Sequence, residues 1–119
     1  MNKPTLVLGA TNNQERYAWK AAMMLRDYGH EVFPVGIKTG EVAGKSIQRQ
    51  FPSEAIDTIT LYLNATHQLQ WMEAILSSGA KRIIFNPGTE HPELMDAARA
   101  AGMETLEACT LVLLRTGQY

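Results

Sequence analysis

The chain is predicted to fold as a doubly wound α/β domain, a parallel sheet of five to six strands with helices on both faces. Three observations predict it. Short apolar, strand-like runs alternate with helical patterns from end to end, and turn signals separate them. The sequence also contains no internal repeat or low-complexity tract. Strands that alternate with helices pair in parallel through right-handed crossovers. With 119 residues, 45% of them hydrophobic, residues 1–119 read as a single domain with one core.

Strands are predicted at Thr5–Leu8, Glu31–Val35, Asp57–Leu63, Arg82–Phe85 and Glu104–Leu106. The run Thr58-Ile59-Thr60-Leu61-Tyr62-Leu63 is rich in β-branched and aromatic residues, as a central strand should be. The first helix, Arg16 to Tyr28, sets Ala18, Ala21, Ala22 and Leu25 on one face, and Gly29 is placed to cap it. A second helix, Ala65 to Ser78, carries Leu69, Met72 and Leu76 on one side. A third starts at Pro92, a favoured first-turn residue, and presents Leu94, Ala97, Ala98 and Ala101. Thr110–Arg115 is read as a short helix. Lys45–Gln50 is read as a short edge strand, which gives six strands in the order 3-2-1-4-5-6.

Composition excludes several classes. The formal charge of −1 gives no basic footprint for nucleic acid. The longest aliphatic run near the C-terminus, Leu111–Leu114, is far too short to cross a bilayer. Met1-Asn2-Lys3-Pro4 runs straight into a strand and leaves no room for a signal peptide. The single cysteine, Cys109, excludes an internal disulfide and fits a reducing cytoplasm.

In a Rossmann-like sheet, ligands sit beyond the carboxyl ends of the strands. The segments that reach this rim are Gly9–Asn13, Gly36–Lys38, Asn64–Thr66, Asn86–Glu90 and Ala108–Thr110. Thr5–Leu8 runs into Gly9-Ala10-Thr11 and then a helix, the layout of a phosphate site or of an ordinary βα turn. The second strand ends Val35-Gly36-Ile37-Lys38, without the carboxylate that would hold the ribose of NAD. A cation at Lys38 suits a ribose phosphate, as in coenzyme A or NADP; the alternative is a solvated loop lysine.

Taken together, these segments resemble the small CoA-binding domain proteins, which look like the amino-terminal domain of the succinyl-CoA synthetase α subunit standing alone. Val7-Leu8-Gly9-Ala10-Thr11 is similar to the family's V-x-G-A-S loop, and Arg16 aligns with the arginine opening its first helix. Leu25-x-x-x-Gly29-His30-Glu31-Val32-Phe33-Pro34-Val35 follows its L-x-x-x-G-Y-x-V-x-P-V. Gly44, Asp57, Ser78-Gly79-Ala80-Lys81, Ala97–Glu104 and Cys109 fall on further family positions. The resemblance implies a pyrophosphate held by Gly9, Ala10 and Thr11, with the adenine side of coenzyme A near Val35 and Lys38. Two positions depart from it. The family's V-N-P-K reads Val35-Gly36-Ile37-Lys38, and its Q-x-G reads Asn86-Pro87-Gly88.

Other rim residues have two readings each. Arg16 can clamp a phosphate bidentately or pair on a helix face. Thr11 can donate to a phosphate or cap the turn, and Asn64 can face the ligand or cap the next helix. Asn86, with Gly88 beside it, can bind a thioester or pantetheine amide or stabilise the backbone. His30, His67 and His91 lie at no metal-ligand spacing, and no nucleophile–base signature is present. The expected function is therefore a stand-alone module that binds coenzyme A or an acyl-CoA without chemistry of its own. The alternatives are a small NADP-dependent or acyl-transfer enzyme, or an interaction subunit with a vestigial nucleotide cleft. In the synthetases the resemblance points to, the phosphorylated histidine lies in a later domain, so no ligase activity is expected of the chain to Tyr119.

Overall fold

The structure, a computed structural model, describes residues 2–119. Its centre is a five-stranded parallel sheet built from β1 (Thr5–Leu8), β2 (Val32–Val35), β5 (Thr58–Leu61), β6 (Arg82–Phe85) and β7 (Glu104–Glu107), in the order β2-β1-β5-β6-β7. Between β2 and β5 the chain makes a separate two-stranded hairpin, β3 (Glu41–Val42) and β4 (Lys45–Ser46). The helices are α1 (Tyr17–Asp27), α2 (Ala65–Gln68), α3 (Met72–Leu76), α4 (Pro92–Ala100) and α5 (Thr110–Arg115), with a 3₁₀ turn at Leu69–Trp71 joining α2 to α3.

Alternation along each strand divides the core into two layers. Leu6, Leu8, Ile59, Leu61, Ile83 and Phe85 pack against Trp71, Ile75, Leu94 and Ala98 from the α3 and α4 side. Val7 and Val32 pack on the other face against Ala18, Ala22, Leu25 and Leu114 from α1 and α5. The α1 alanines let the helix sit close to the sheet, and Gly29 ends it at φ +89°. There the Gly29 N–H bonds to Arg26 O and the His30 N–H to Leu25 O, a Schellman closure.

Two expectations need correction. Lys45–Gln50 is not a sixth sheet strand. Lys45 and Ser46 turn back antiparallel on Val42 and Glu41, and only Gln48 reaches the sheet, as a single bridge to Val35. The cause is the tight turn at Ala43 (φ +54°) and Gly44 (φ +80°), two positive-φ residues that close a hairpin. The inward face of the second helix is also different. Gln68, Trp71 and Ile75 are buried, whereas Leu69 is exposed, because the 3₁₀ turn shifts the phase between α2 and α3.

Candidate ligand cleft

The carboxyl ends of β1, β2, β5 and β6 open into a cleft of about 520 Å³. Four of the expected rim segments contribute to it, and Ala108–Thr110 does not. Of the residues singled out from sequence, Gly9, Ala10, Thr11, Arg16, Lys38, Asn64 and Gly88 line the cleft, while Val35 and Asn86 do not. Val35 is buried in the sheet. Asn86 is 2% exposed and bonded internally: Nδ2 donates to Thr60 Oγ1 at 2.7 Å and to Leu61 O at 2.8 Å, and Oδ1 accepts the Thr110 N–H at 2.9 Å.

The β1–α1 loop divides its work unevenly. The Gly9 and Ala10 N–H groups both donate to Val35 O, at 2.9 and 3.1 Å, so neither is free for an anion. A Cβ on Gly9 would meet the Tyr62 carbonyl at 3.0 Å, so the neighbouring strand exit by itself requires this glycine. Thr11 is buried on the cleft wall, and its hydroxyl oxygen accepts the Asn13 N–H at 3.1 Å, which leaves the O–H proton free to donate. Arg16 is the N-cap of α1 and provides no side-chain cap, and the first turn of α1 contains no acid. Its leading N–H groups and positive dipole end therefore stay available beside Arg16, Tyr17 and Ala18.

The side chains that line the cleft lean positive. Arg16 and Lys38 line it, and no aspartate or glutamate does, in a chain whose acids outnumber its bases by 12 to 11. Tyr17 and Ile37, both strongly exposed, add apolar surface to the cleft, Ile37 next to Lys38 in the chain. Burial raises the Tyr62 phenol well above its ordinary pKa, so it contributes a neutral wall. At the far end, Asn86-Pro87-Gly88-Thr89 forms a β-turn closed by Thr89 N–H to Asn86 O at 3.0 Å, with Gly88 at φ +92°. Proline followed by a positive-φ glycine is the type II pattern. The Gly88 N–H is taken by the Glu90 carboxylate at 3.0 Å. Asn64 both lines the cleft and caps α2, accepting the His67 N–H at 2.9 Å.

Sequence reasoning missed Tyr17, Ala18, Tyr62, Leu63, His67, Gln70 and Trp71 as lining residues. The signal that would have found them is their position next to Arg16 or within two turns of Asn64, residues already placed at the site. Among the described residues no cluster of potential metal ligands occurs, and no helix is long and apolar enough to cross a membrane.

The model of the CoA binding domain family matches residues 3–115. A crystal structure of an uncharacterized protein is 48% identical, with a TM-score of 0.96, over 100% of this chain and 99% of that one. A conserved hypothetical protein from Pyrococcus furiosus is 26% identical, with a TM-score of 0.79, over 92% of this chain and 97% of its own. The dinucleotide forming acetyl-coenzyme A synthetase 1 of Candidatus Korarchaeum cryptofilum, solved with phosphate and ADP, shares the fold at 18% identity and a TM-score of 0.74. The match covers 90% of this chain but 26% of the synthetase. No curated protein matches the chain. Every residue of the five-stranded sheet and every residue that lines the cleft fall within the family match, and the protein belongs to the CoA-binding domain family.

Proposed function

We propose that the protein is a stand-alone module that binds coenzyme A or an acyl-CoA in the cleft and performs no chemistry on it. The observation that carries this reading is the uncapped start of α1 beside Arg16, in a cleft that no aspartate or glutamate lines. Free N–H groups, a positive dipole end and a guanidinium suit a pyrophosphate. Lys38, on the exit of β2, suits the 3′-phosphate of the ribose, and the apolar surface of Tyr17 and Ile37 suits a purine face. Family membership supports the same ligand class. With Gly9 and Ala10 bonded to Val35, the phosphate role falls to Thr11, the first turn of α1 and Arg16.

Binding without catalysis is favoured by what lines the cleft. It presents no cysteine and no carboxylate, and the Thr89 hydroxyl donates to Asn86 O and not to a histidine. Isothermal titration with coenzyme A, dephospho-coenzyme A, NADP and NAD tests the reading. Tightest binding of coenzyme A with no thioester turnover is expected; tightest binding of NAD, or no binding of any of them, would overturn it.

A further inference from the structure

We propose that Gln68 is a positioning residue that locks the Leu63 and Thr89 walls of the cleft together for the uncharged, extended arm of the ligand, an inference that rests on the coenzyme A reading above. Gln68 is 0% exposed although it is polar and lies on a four-residue helix. Its Nε2 donates to the carbonyl oxygens of Leu63 and Thr89, each at 2.7 Å, and its Oε1 lies 2.8 Å from His91 Nδ1. Carbonyl oxygens only accept, so both amide protons are committed and the orientation of the amide follows. Oε1 can then only accept, which makes His91 Nδ1 the donor and holds the ring in that tautomer. His91 is itself buried, and its main-chain oxygen accepts the Met95 N–H at 2.9 Å as α4 begins. One side chain thus ties together the exit of β5, the turn after β6 and the start of α4.

Both carbonyls it holds belong to residues that line the cleft. Arg16, Lys38 and the start of α1 lie toward the β1 and β2 exits, whereas Leu63 and Thr89 follow β5 and β6. The phosphates would therefore anchor at one half, and the wall-to-wall spacing at the other half would govern the amide-bearing arm. A network in which every polar group is satisfied is rigid, and one missing partner leaves buried groups unpaired. Loosening this half should weaken binding of the whole coenzyme and spare its nucleotide half.

The test compares the wild type with Gln68→Met, His91→Leu and His91→Asn, the last of which retains an N–H at the position of Nδ1. Amide hydrogen exchange on the ligand-free proteins should show faster exchange at 62–65 and 86–91 in Gln68→Met and His91→Leu, with 9–18 unchanged. His91→Asn should behave as the wild type. Titration should then show affinity for coenzyme A falling about tenfold in the first two variants, with affinity for adenosine 3′,5′-bisphosphate unchanged. Equal losses for both ligands, or faster exchange throughout the chain, would show that Gln68 merely holds the fold and overturn the inference. Unchanged exchange at both walls would overturn it as well. A wild type that binds neither ligand would sink the coenzyme A reading and the assignment of the arm with it, while the exchange contrast still decides whether the two walls are locked.

Discussion

The Asn86 side-chain oxygen accepts the Thr110 N–H at 2.9 Å, so α5 is capped from the end of β6 and not by its own N-cap residue, Cys109. The same side chain donates to Thr60 and Leu61 on the neighbouring strand. Its main-chain oxygen receives both the N–H and the hydroxyl of Thr89, at 3.0 and 2.8 Å. Of the two roles open to Asn86 in the sequence, ligand contact or backbone stabilisation, the structure shows the second: it is the joint between a helix, the sheet and the cleft turn.

Replacing Asn86 tests that joint. Asn86→Ala removes three buried hydrogen bonds and leaves the Thr110 N–H, the Thr60 hydroxyl and the Leu61 carbonyl without this partner. Each unsatisfied buried group costs about 1–3 kcal/mol, so a loss of about 3 kcal/mol is expected. Asn86→Asp keeps the acceptor for Thr110 but loses both donors, and should also destabilise. Urea unfolding measures both, and an Asn86→Ala protein within 1 kcal/mol of the wild type would contradict the joint.

Gly9 and Gly29 give a paired prediction, since both have positive φ, at +96° and +89°. A Cβ on Gly29 meets nothing within 4 Å, so Gly29→Ala should cost only the strain of the left-handed backbone, about 1 kcal/mol. On Gly9 the added carbon meets the Tyr62 carbonyl at 3.0 Å and Leu63 at 3.1 Å, so backbone must shift as well. Gly9→Ala should therefore destabilise clearly more, by about 2–3 kcal/mol in all. Equal midpoints in urea for the two variants would refute the close approach.

What was legible in the sequence follows from which signals are local. β-Branched strand runs, the alanine face at Ala18–Leu25 and the glycine after α1 are short-range patterns, and the structure keeps them. Parallel strands also put their carboxyl-end loops at one rim, so most of the cleft could be placed. The hairpin was hidden because Ala43 is no turn residue by type, yet it takes a positive φ in the turn that joins Glu41–Val42 to Lys45–Ser46. Gln68, Asn86 and Arg82 are polar residues that turn inward to partners 20 or more positions away. No local pattern announces such partners. Arg82, for instance, sits within a strand, with its Nε donating to Thr58 Oγ1 at 2.7 Å and the Tyr119 ring 4.4 Å from its guanidinium.

Lys38 should set the preference among nucleotides. An exposed lysine facing a ribose phosphate contributes about 1 kcal/mol, so coenzyme A should bind several-fold more tightly than dephospho-coenzyme A. Lys38→Ala should remove that difference while leaving the affinity for dephospho-coenzyme A unchanged. The preference should also shrink as salt is raised, because the pair is screened. A preference that survives in Lys38→Ala places the 3′-phosphate elsewhere.

His30 should make the fold sensitive to acid. Its Nδ1 accepts the Lys3 N–H at 2.9 Å, and its ring lies 4.9 Å from that of Tyr119, under the amino ends of the strands. Burial lowers its pKa below the ordinary 6.5, the positive charges of Lys3 and Arg82 lower it further, and Asp57 opposes them in part. A histidine whose pKa is depressed on folding binds fewer protons folded than unfolded, so stability rises with pH across that interval. Its contribution is complete above pH 6.5 and is lost as the pH falls through the lower, folded value. Protonation at Nδ1 also removes the acceptor for Lys3. His30→Asn keeps an acceptor in reach of the Lys3 N–H but cannot titrate. Between about pH 7.5 and about pH 5 the wild type should therefore lose more stability in urea than His30→Asn, the remaining slope being that of the carboxylates. Parallel pH profiles for the two proteins would show that His30 does not couple protonation to folding.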